Sequence, residues 1–345
     1  LNKKRKVLFI TKYFYPHIGG VEKHVFEISK ELIKNGIEVT IITEKFDLHL
    51  DNFTIKDNIR IIRISYPKIK IVGILIIWLK IFSLYREFIN VNVVHIHDVF
   101  VWFIPLKIFF PKKPVYITFH GYEDYPITIK YRLIRLLSEK LCDGNICIGR
   151  FIKKWYGIKP NIIQYGAVDI KKYENNKRMS NYKYDSIFVG RLDVHTGINF
   201  YIKTYEILNK TDFFSLLVVG KNSNCIKQYK NIKFVGEKNN VEKYFQESRI
   251  AFVSRYLSIF EAFASKKLVF AVYDNPVKED YLKMTPFSKL MIICNSPAEL
   301  IYKINYYKNN QQEATEIVNN AYFWVKNKSW EKLSKDYLYL WGFIK

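Results

Sequence analysis

Lys6-Val-Leu-Phe-Ile-Thr-Lys-Tyr-Phe-Tyr-Pro-His-Ile-Gly-Gly20, then Val21 to Lys34, then Ile37-Glu-Val-Thr-Ile-Ile-Thr43 is the stretch that decides the fold. Lys6 to Thr11 is a continuous apolar run, the pattern of a strand buried on both faces. Val21, Val25, Ile28 and Leu32 fall at helical spacing, and Asn35-Gly36 stops that helix. Ile37 to Thr43 is apolar again and reads as the next strand. Strand, glycine-bearing loop, helix and strand in that order predict a parallel pair with its crossover helix.

The same alternation continues on the C-terminal side. Ile59–Ser65, Val91–His97, Pro114–Phe119, Asn145–Ile148 and Asn161–Gln164 read as further strands. A polar stretch without a period, KKYENNKRMSNYKY at 171–184, reads as a linker. A second series follows: Ile187–Val189, Leu216–Val219, Ile232–Val235, Ile250–Val253, Leu268–Val272 and Met291–Ile293. From Ala298 onward the pattern is mainly helical, with Trp324 and Trp330 as packing anchors. The length of 345 residues exceeds the usual single domain. The expectation is an α/β chain of two Rossmann-like domains with parallel sheets, 1–170 and 185–328, and a helical tail at 329–345. Ligands of such sheets bind beyond the carboxyl ends of the strands, so the chemistry is expected there, in a cleft.

Charge narrows the partners. Lys and Arg number 55 against 32 acidic residues, a net +23. Such a surface attracts anions: nucleic acid, acidic lipid or phosphorylated substrates. The basic residues form no isolated tail, and there is no zinc-finger spacing or RNA-binding aromatic motif, which argues against nucleic acid. Cys142, Cys147, Cys225 and Cys294 suit neither a disulfide scaffold nor a zinc knuckle, so a reducing intracellular compartment is the simplest reading. The basic opening Asn2–Lys6 resembles the start of a signal peptide, but the apolar run behind it is too short for one.

Several residues at strand exits could carry chemistry. Gly19 and Gly20 precede a helix start, where bare N–H groups suit an anion. His97 and His95 share one face of a strand, and Asp98 ends it; a metal pair there lacks a third ligand. His120 follows the fifth strand, where an imidazole suits hydrogen bonding or proton transfer. Glu123 and Asp124 come next. Arg191 ends the first strand of the second series and offers planar donors for a diphosphate, or a plain surface ion pair. Ser258 and Glu261 fit a capping box. Alternatively, Glu261 accepts from a vicinal diol such as ribose.

In their common order these segments resemble the retaining glycosyltransferase family 4, whose fold is the two-domain GT-B arrangement. The resemblance rests on Gly19-Gly-Val-Glu22, His97-Asp98, Thr118-Phe-His-Gly121 and Tyr165-Gly-Ala-Val-Asp169. It rests further on Phe188-Val-Gly-Arg-Leu192 with Gly197, on Leu217–Gly220, on Ile232–Gly236, and on Glu261-Ala-Phe-Ala264 with Leu268–Ala271. It implies transfer of a hexose from a nucleoside-diphosphate sugar to an alcohol, without a metal or resident cofactor. It implies that Gly20 lies by the donor phosphates or reactive centre. By the same resemblance His120 touches the transferred sugar, Arg191 the diphosphate and Glu261 the ribose. It also implies that the tail after Ser329 crosses back to the first domain. Three departures stand out. Thr196 occupies the place of the family's phosphate-binding lysine, for which Lys238 and Lys266 are candidate replacements. Val253 stands where the first glutamate of an E-x7-E element belongs. The glycine-phenylalanine-glycine stretch of that loop is absent. These departures keep a second reading open, a degenerate nucleotide-sugar-binding or scaffold subunit. A GT-B sugar-nucleotide epimerase is a third.

Ile69 to Tyr85, IKIVGILIIWLKIFSLY, is too short to span a bilayer yet very apolar for one face of a soluble helix. Lys68, Lys70, Lys80 and Arg86 flank or interrupt it, and Trp78 lies inside. With Val101–Phe110, it predicts an interfacial surface on the cytoplasmic face of an anionic membrane and a lipid-linked glycan as acceptor. The competing expectation is that both stretches are core or a dimer interface.

Overall fold

The computed structural model describes residues 4–174, 181–211, 214–221 and 229–345. Part of the expected linker (175–180), Cys225 and the first three residues lie outside them. Two compact units form: Leu1–Gln164 with Trp330–Lys345, and Tyr165–Ser329. Residues 165–170, grouped with the first domain by sequence, belong to the second unit.

The first unit is built on eight strands: β1 (Lys6–Thr11), β2 (Glu38–Glu44), β3 (Phe53–Lys56), β4 (Ile59–Ile64), β5 (Val93–His97), β6 (Val115–Phe119), β7 (Gly144–Ile148) and β8 (Ile162–Gln164). Their order is β3-β4-β2-β1-β5-β6-β7-β8. Every pairing is parallel except β3 with β4, an antiparallel hairpin at the edge. Asp57 and Asn58 turn that hairpin with φ of 50° and 63°. Two successive left-handed residues are what a two-residue hairpin turn demands. The helices are α1 (Gly20–Lys34), α2 (Lys70–Ser83), α3 (Tyr85–Ile89), α4 (Ile104–Phe109), α5 (Ile129–Leu141) and α6 (Phe151–Tyr156).

The stretch expected to be interfacial divides. Ile77 and Ile81 are buried, while Ile71, Val72, Leu75, Leu79 and Phe82 are exposed. Trp78 is half-buried, and its indole donates to the Val101 carbonyl at 2.7 Å. Trp102, Phe103 and Leu106 are core, but Ile108 and Phe109 face outward.

The second unit carries β9 (Tyr184–Val189), β10 (Leu216–Val219), β11 (Ile232–Phe234), β12 (Ser248–Phe252), β13 (Leu268–Val272) and β14 (Ile292–Cys294). They run parallel in the order β11-β10-β9-β12-β13-β14. Its helices are α7 (Lys171–Glu174), α8 (Ile198–Thr211), α9 (Glu242–Gln246), α10 (Tyr256–Ala264), α11 (Pro276–Lys283), α12 (Pro297–Asn309) and α13 (Gln311–Val325). β9 and β10 end very close together. A Cβ on Gly220 would stand 2.0 Å from the Gly190 carbonyl oxygen, so only glycine fits there.

The last helix, α14 (Trp330–Leu340), belongs to the first unit and packs on α1 and β8. Trp330, Leu333, Tyr337, Leu338 and Trp341 are all buried. Each such side chain contributes roughly 1.5–3 kcal/mol of burial energy. Trp324, by contrast, packs in the second unit against Phe260 and Phe287.

Candidate active site

In the first unit β1, β5 and β6 lie side by side, with Phe9 opposite His95 and His97 opposite Thr118. α1 and α14 cover that face. The result is a buried imidazole cluster with an ordered chain of hydrogen bonds. The Trp341 indole can only donate, and it does so to His95 Nδ1 at 3.1 Å. His95 must then donate through Nε2 to Thr118 Oγ1, at 2.7 Å. Thr118 passes its hydrogen to the Tyr337 hydroxyl at 3.1 Å. Tyr337 in turn donates to His24 Nε2 at 2.8 Å. The chain has one consistent direction when His24 and His95 are neutral. Burial enforces that state: it pushes His24 down to about 3 and holds His95 well below the usual imidazole value.

Beside this chain, His97 Nδ1 and His120 Nε2 share a hydrogen bond at 2.9 Å. The His24 and His120 rings meet edge to face at 4.9 Å. Burial and the neighbouring imidazoles hold both His97 and His120 well below the ordinary value. His120 is thus a neutral hydrogen-bonding group at pH 7 rather than the near-neutral titrating imidazole its sequence position suggests. Its backbone is fixed as well: the His120 N–H donates to Asp98 Oδ1 at 2.9 Å. Asp98 sits at φ 57°, and burial raises its carboxyl to about 6. Among the described residues, His97 Nε2 is buried without a partner.

The other first-unit candidates are placed as follows. Gly19 caps α1 in an extended conformation, and Gly20 is that helix's first residue. Glu22 folds back so closely that a Cβ on Gly19 would lie 2.2 Å from its carboxylate, while the other oxygen stands 2.8 Å from His17 Nδ1. Glu123 is committed internally. It accepts from Arg135 Nε and Nη2 at 3.0 and 2.8 Å and from the Tyr156 hydroxyl at 2.5 Å. It therefore anchors the loop after β6. Asp124 is exposed. His95 has both ring nitrogens occupied, which leaves none for a metal ion.

In the second unit Arg191 leaves the carboxyl end of β9 with its side chain 65% exposed, and Nε pairs with Asp193 at 3.2 Å. Thr196 faces the other way. Its hydroxyl contacts the Arg191 and Asp193 carbonyls, both at 2.7 Å, and the residue is buried. It closes the loop and is not turned toward a ligand. Gly197 (φ 80°) presses that loop onto β13, where a Cβ would meet Val272 Cγ2 at 2.4 Å. The capping box expected from Ser258 and Glu261 does not form. α10 starts earlier, at Tyr256 with Arg255 as N-cap, and Ser258 Oγ donates to the Arg255 carbonyl inside the first turn. The first N–H of α10 is taken by the Tyr281 hydroxyl at 3.1 Å. Glu261 is then a mid-helix residue, only 6% exposed, near the buried Tyr173 hydroxyl. Val253 is fully buried core.

Of the two candidate replacements for the family lysine, Lys238 is exposed in the loop beyond β11, at the carboxyl edge. Lys266 lies at the opposite edge, because α10 has by then returned to the amino end of β13, and its ammonium stands 4.6 Å from the Tyr322 ring. Two residues not singled out from sequence share the carboxyl edge: Arg255 and the buried Lys278.

Two family models match the chain in series. Residues 18–161 match Glycosyltransferase Family 4 and residues 169–324 match Glycosyl transferases group 1. The chain is 24% identical to an uncharacterized glycosyltransferase of Methanocaldococcus jannaschii, with 97% of each covered. Sucrose-phosphate synthase from Thermosynechococcus elongatus superposes at a TM-score of 0.79 with 14% identity, covering 98% of both chains. Anabaena HepE, solved in complex with UDP-glucose, superposes at 0.70 with 14% identity, covering 96% of this chain and 99% of that one.

Proposed function

Since the chain belongs to the family 4 and group 1 glycosyltransferases with a GT-B fold, we propose that it moves a hexose from a nucleoside-diphosphate sugar to an alcohol with retention of configuration. The nucleotide sugar is a co-substrate, and no resident cofactor enters. The observation that carries this reading is the cationic carboxyl edge of the second unit, where Arg191 stands at the exit of β9. A departing diphosphate accumulates negative charge, and fixed donors that meet it lower the barrier. Glu261 binds the ribose. His120, neutral and fixed through Asp98 and His97, hydrogen-bonds the transferred sugar. A screen of UDP- and GDP-linked sugars with lipid-linked and soluble acceptors tests the reading. Transfer predicts release of free nucleoside diphosphate only with acceptor present. Nucleotide binding without turnover across the set would favour a binding subunit. Donor interconversion without acceptor would favour an epimerase.

The acceptor is lipid-linked, and the enzyme works on the cytoplasmic face of an anionic membrane. Support comes from α2. Ile71, Leu75 and Leu79 form an exposed row along it, 75%, 50% and 68% accessible. Phe82 meets Phe109 of α4 at 5.0 Å, which joins both exposed patches. Lys80, Arg86 and Lys112 are exposed around them, and each such cation adds about 1 kcal/mol of attraction to anionic lipid. Among the described residues no helix is long and apolar enough to cross a membrane. The test is flotation with anionic and neutral liposomes. Leu75→Glu with Leu79→Glu should abolish anionic binding and leave the fold intact, because both are surface residues. Absence of wild-type binding at low salt would remove the membrane from the proposal.

A further inference from the structure

Lys278 is a buried amine with no anionic partner among the described residues. It lies in α11, just beyond the carboxyl end of β13, and is only 2% exposed. Its ammonium donates to the Ser254 carbonyl at the end of β12 and stands 4.6 Å from the Tyr281 ring. No carboxylate lies within ion-pair distance of it among the described residues. The charges that bear on it are Arg255, which repels, and Asp274 and Asp193, which attract from further off. Asp193 is already paired with Arg191, and Asp274 accepts from Asn275 at 2.8 Å. A buried ammonium so placed is costly when charged, and its pKa is held well below the ordinary lysine value, chiefly by burial.

The place of this residue is as informative as its burial. His195, Gly197, Val272, Tyr273, Asp274 and Lys278 line one shallow depression. That depression opens beside the loop in which Thr196 stands where a phosphate-binding lysine is absent. Thr196 itself is turned inward onto its own loop. The first α10 amide, a second usual anchor for phosphate, is spent on Tyr281. The Thr196 hydroxyl and the first α10 amide are thus both committed within the protein, and the buried Lys278 amine lies beside each of these loops.

We propose that Lys278 supplies the cation for the donor's diphosphate that Thr196 cannot supply, reaching it through the depression beside Gly197. The inference rests on the reading of the second unit as the nucleotide-binding one. It carries a consequence that a structural lysine would not share. An amine neutralised by burial takes up a proton when a diphosphate arrives, because the anion restores the charged form.

The experiment is calorimetric titration of the full chain with UDP and GDP in buffers of different ionisation enthalpy, at about pH 8, above the ordinary imidazole range. Wild type should bind with uptake of close to one proton. Lys278→Met should bind roughly ten- to a hundredfold more weakly and without proton uptake. Lys266→Met, at the opposite edge of the sheet, should match wild type. Binding by a folded Lys278→Met protein with unchanged affinity and unchanged proton uptake would overturn the proposal and leave the glycosyltransferase reading intact. Should that variant fail to fold, wild type decides alone: binding with no proton uptake overturns the proposal. No binding of either nucleotide by wild type would overturn the functional reading, and the proposal with it.

Discussion

In the first unit four imidazoles lie together without net charge, while the carboxyl edge of the second gathers Arg191, Arg255 and Lys278, of which the most deeply buried has no ion pair among the described residues. Both regions sit at strand exits of parallel sheets, so the fold does not explain the difference. Water does. His24, His95 and His97 are buried beneath α14 while His120 stays partly exposed, and neutral groups hydrogen-bonded in a chain are the arrangement that survives there. The second edge keeps Arg191 in solvent and holds Lys278 at the wall of a depression. Such a surface suits an anionic ligand that comes and goes. The first region is built for shape and orientation, the second for charge.

Acid should separate the two most sharply. A histidine whose folded pKa is depressed contributes stability above its unfolded value near 6.5, and loses it as pH falls toward the folded value. For His24 the window runs from about 6.5 to about 3. Each pH unit below the top of that window costs about 1.4 kcal/mol for each such histidine. Asp98, raised to about 6, works in the opposite sense below that pH. His24 alone should therefore remove about 2 kcal/mol from the first unit between about pH 6.5 and pH 5, and His95, His97 and His120 act in the same direction. Hydrogen exchange resolved by segment checks this: amides of β5, β6 and α14 should lose protection before those of β10 and β12. Equal loss in both units would break the comparison.

A smaller effect isolates the hydrogen-bond chain. Tyr337→Phe keeps the ring but leaves the Thr118 hydroxyl hydrogen and His24 Nε2 unpaired in a dry interior, which costs about 1–3 kcal/mol. Tyr339 on the same helix is 63% exposed, and Tyr339→Phe should be near neutral. Urea midpoints of the two variants measure the difference. Coinciding midpoints would mean that water reaches the cluster.

The residues behind this contrast were unevenly legible. Apolar runs gave the strands of both sheets, because a strand buried on both faces writes itself as continuous hydrophobic sequence. The β3 edge strand was missed: Phe53 and Ile55 alternate with polar residues, and the signal that could have found it was Asp57-Asn58, a turn pair. His97 and His120 were visible as polar residues at strand ends. His24 and Tyr337, 313 positions apart, were not, since their pairing depends on how α14 packs. Ser258 and Glu261 satisfy a capping pattern, but burial of Tyr256 against Tyr281 starts the helix three residues sooner. Nothing in the spacing around Lys278 distinguishes it from a surface lysine.

The mildest perturbation tests whether charge belongs to the second region alone. Arg191→Ala removes one exposed guanidinium. Because its side chain is 65% exposed, its contact with a diphosphate falls at the low end for charged hydrogen bonds, about 1.5 kcal/mol. That corresponds to roughly a tenfold weaker donor affinity. Stability should hardly change, since among the described residues the ion pair lost is the single one to Asp193, whose partner is itself 65% exposed. Affinity should also become less sensitive to salt, because one screened ion contact is gone. His120→Ala should show the converse pattern. It removes a neutral group from the first unit, so turnover should fall more than nucleotide affinity does, and the salt dependence of binding should stay as in wild type. Calorimetry and steady-state rates on the two folded variants give both quantities. Equal losses of affinity and turnover in His120→Ala would deny it a separate role toward the sugar. Unchanged nucleotide affinity in Arg191→Ala would leave that side chain as a surface partner of Asp193 and shift the diphosphate contact onto Lys278 and Arg255.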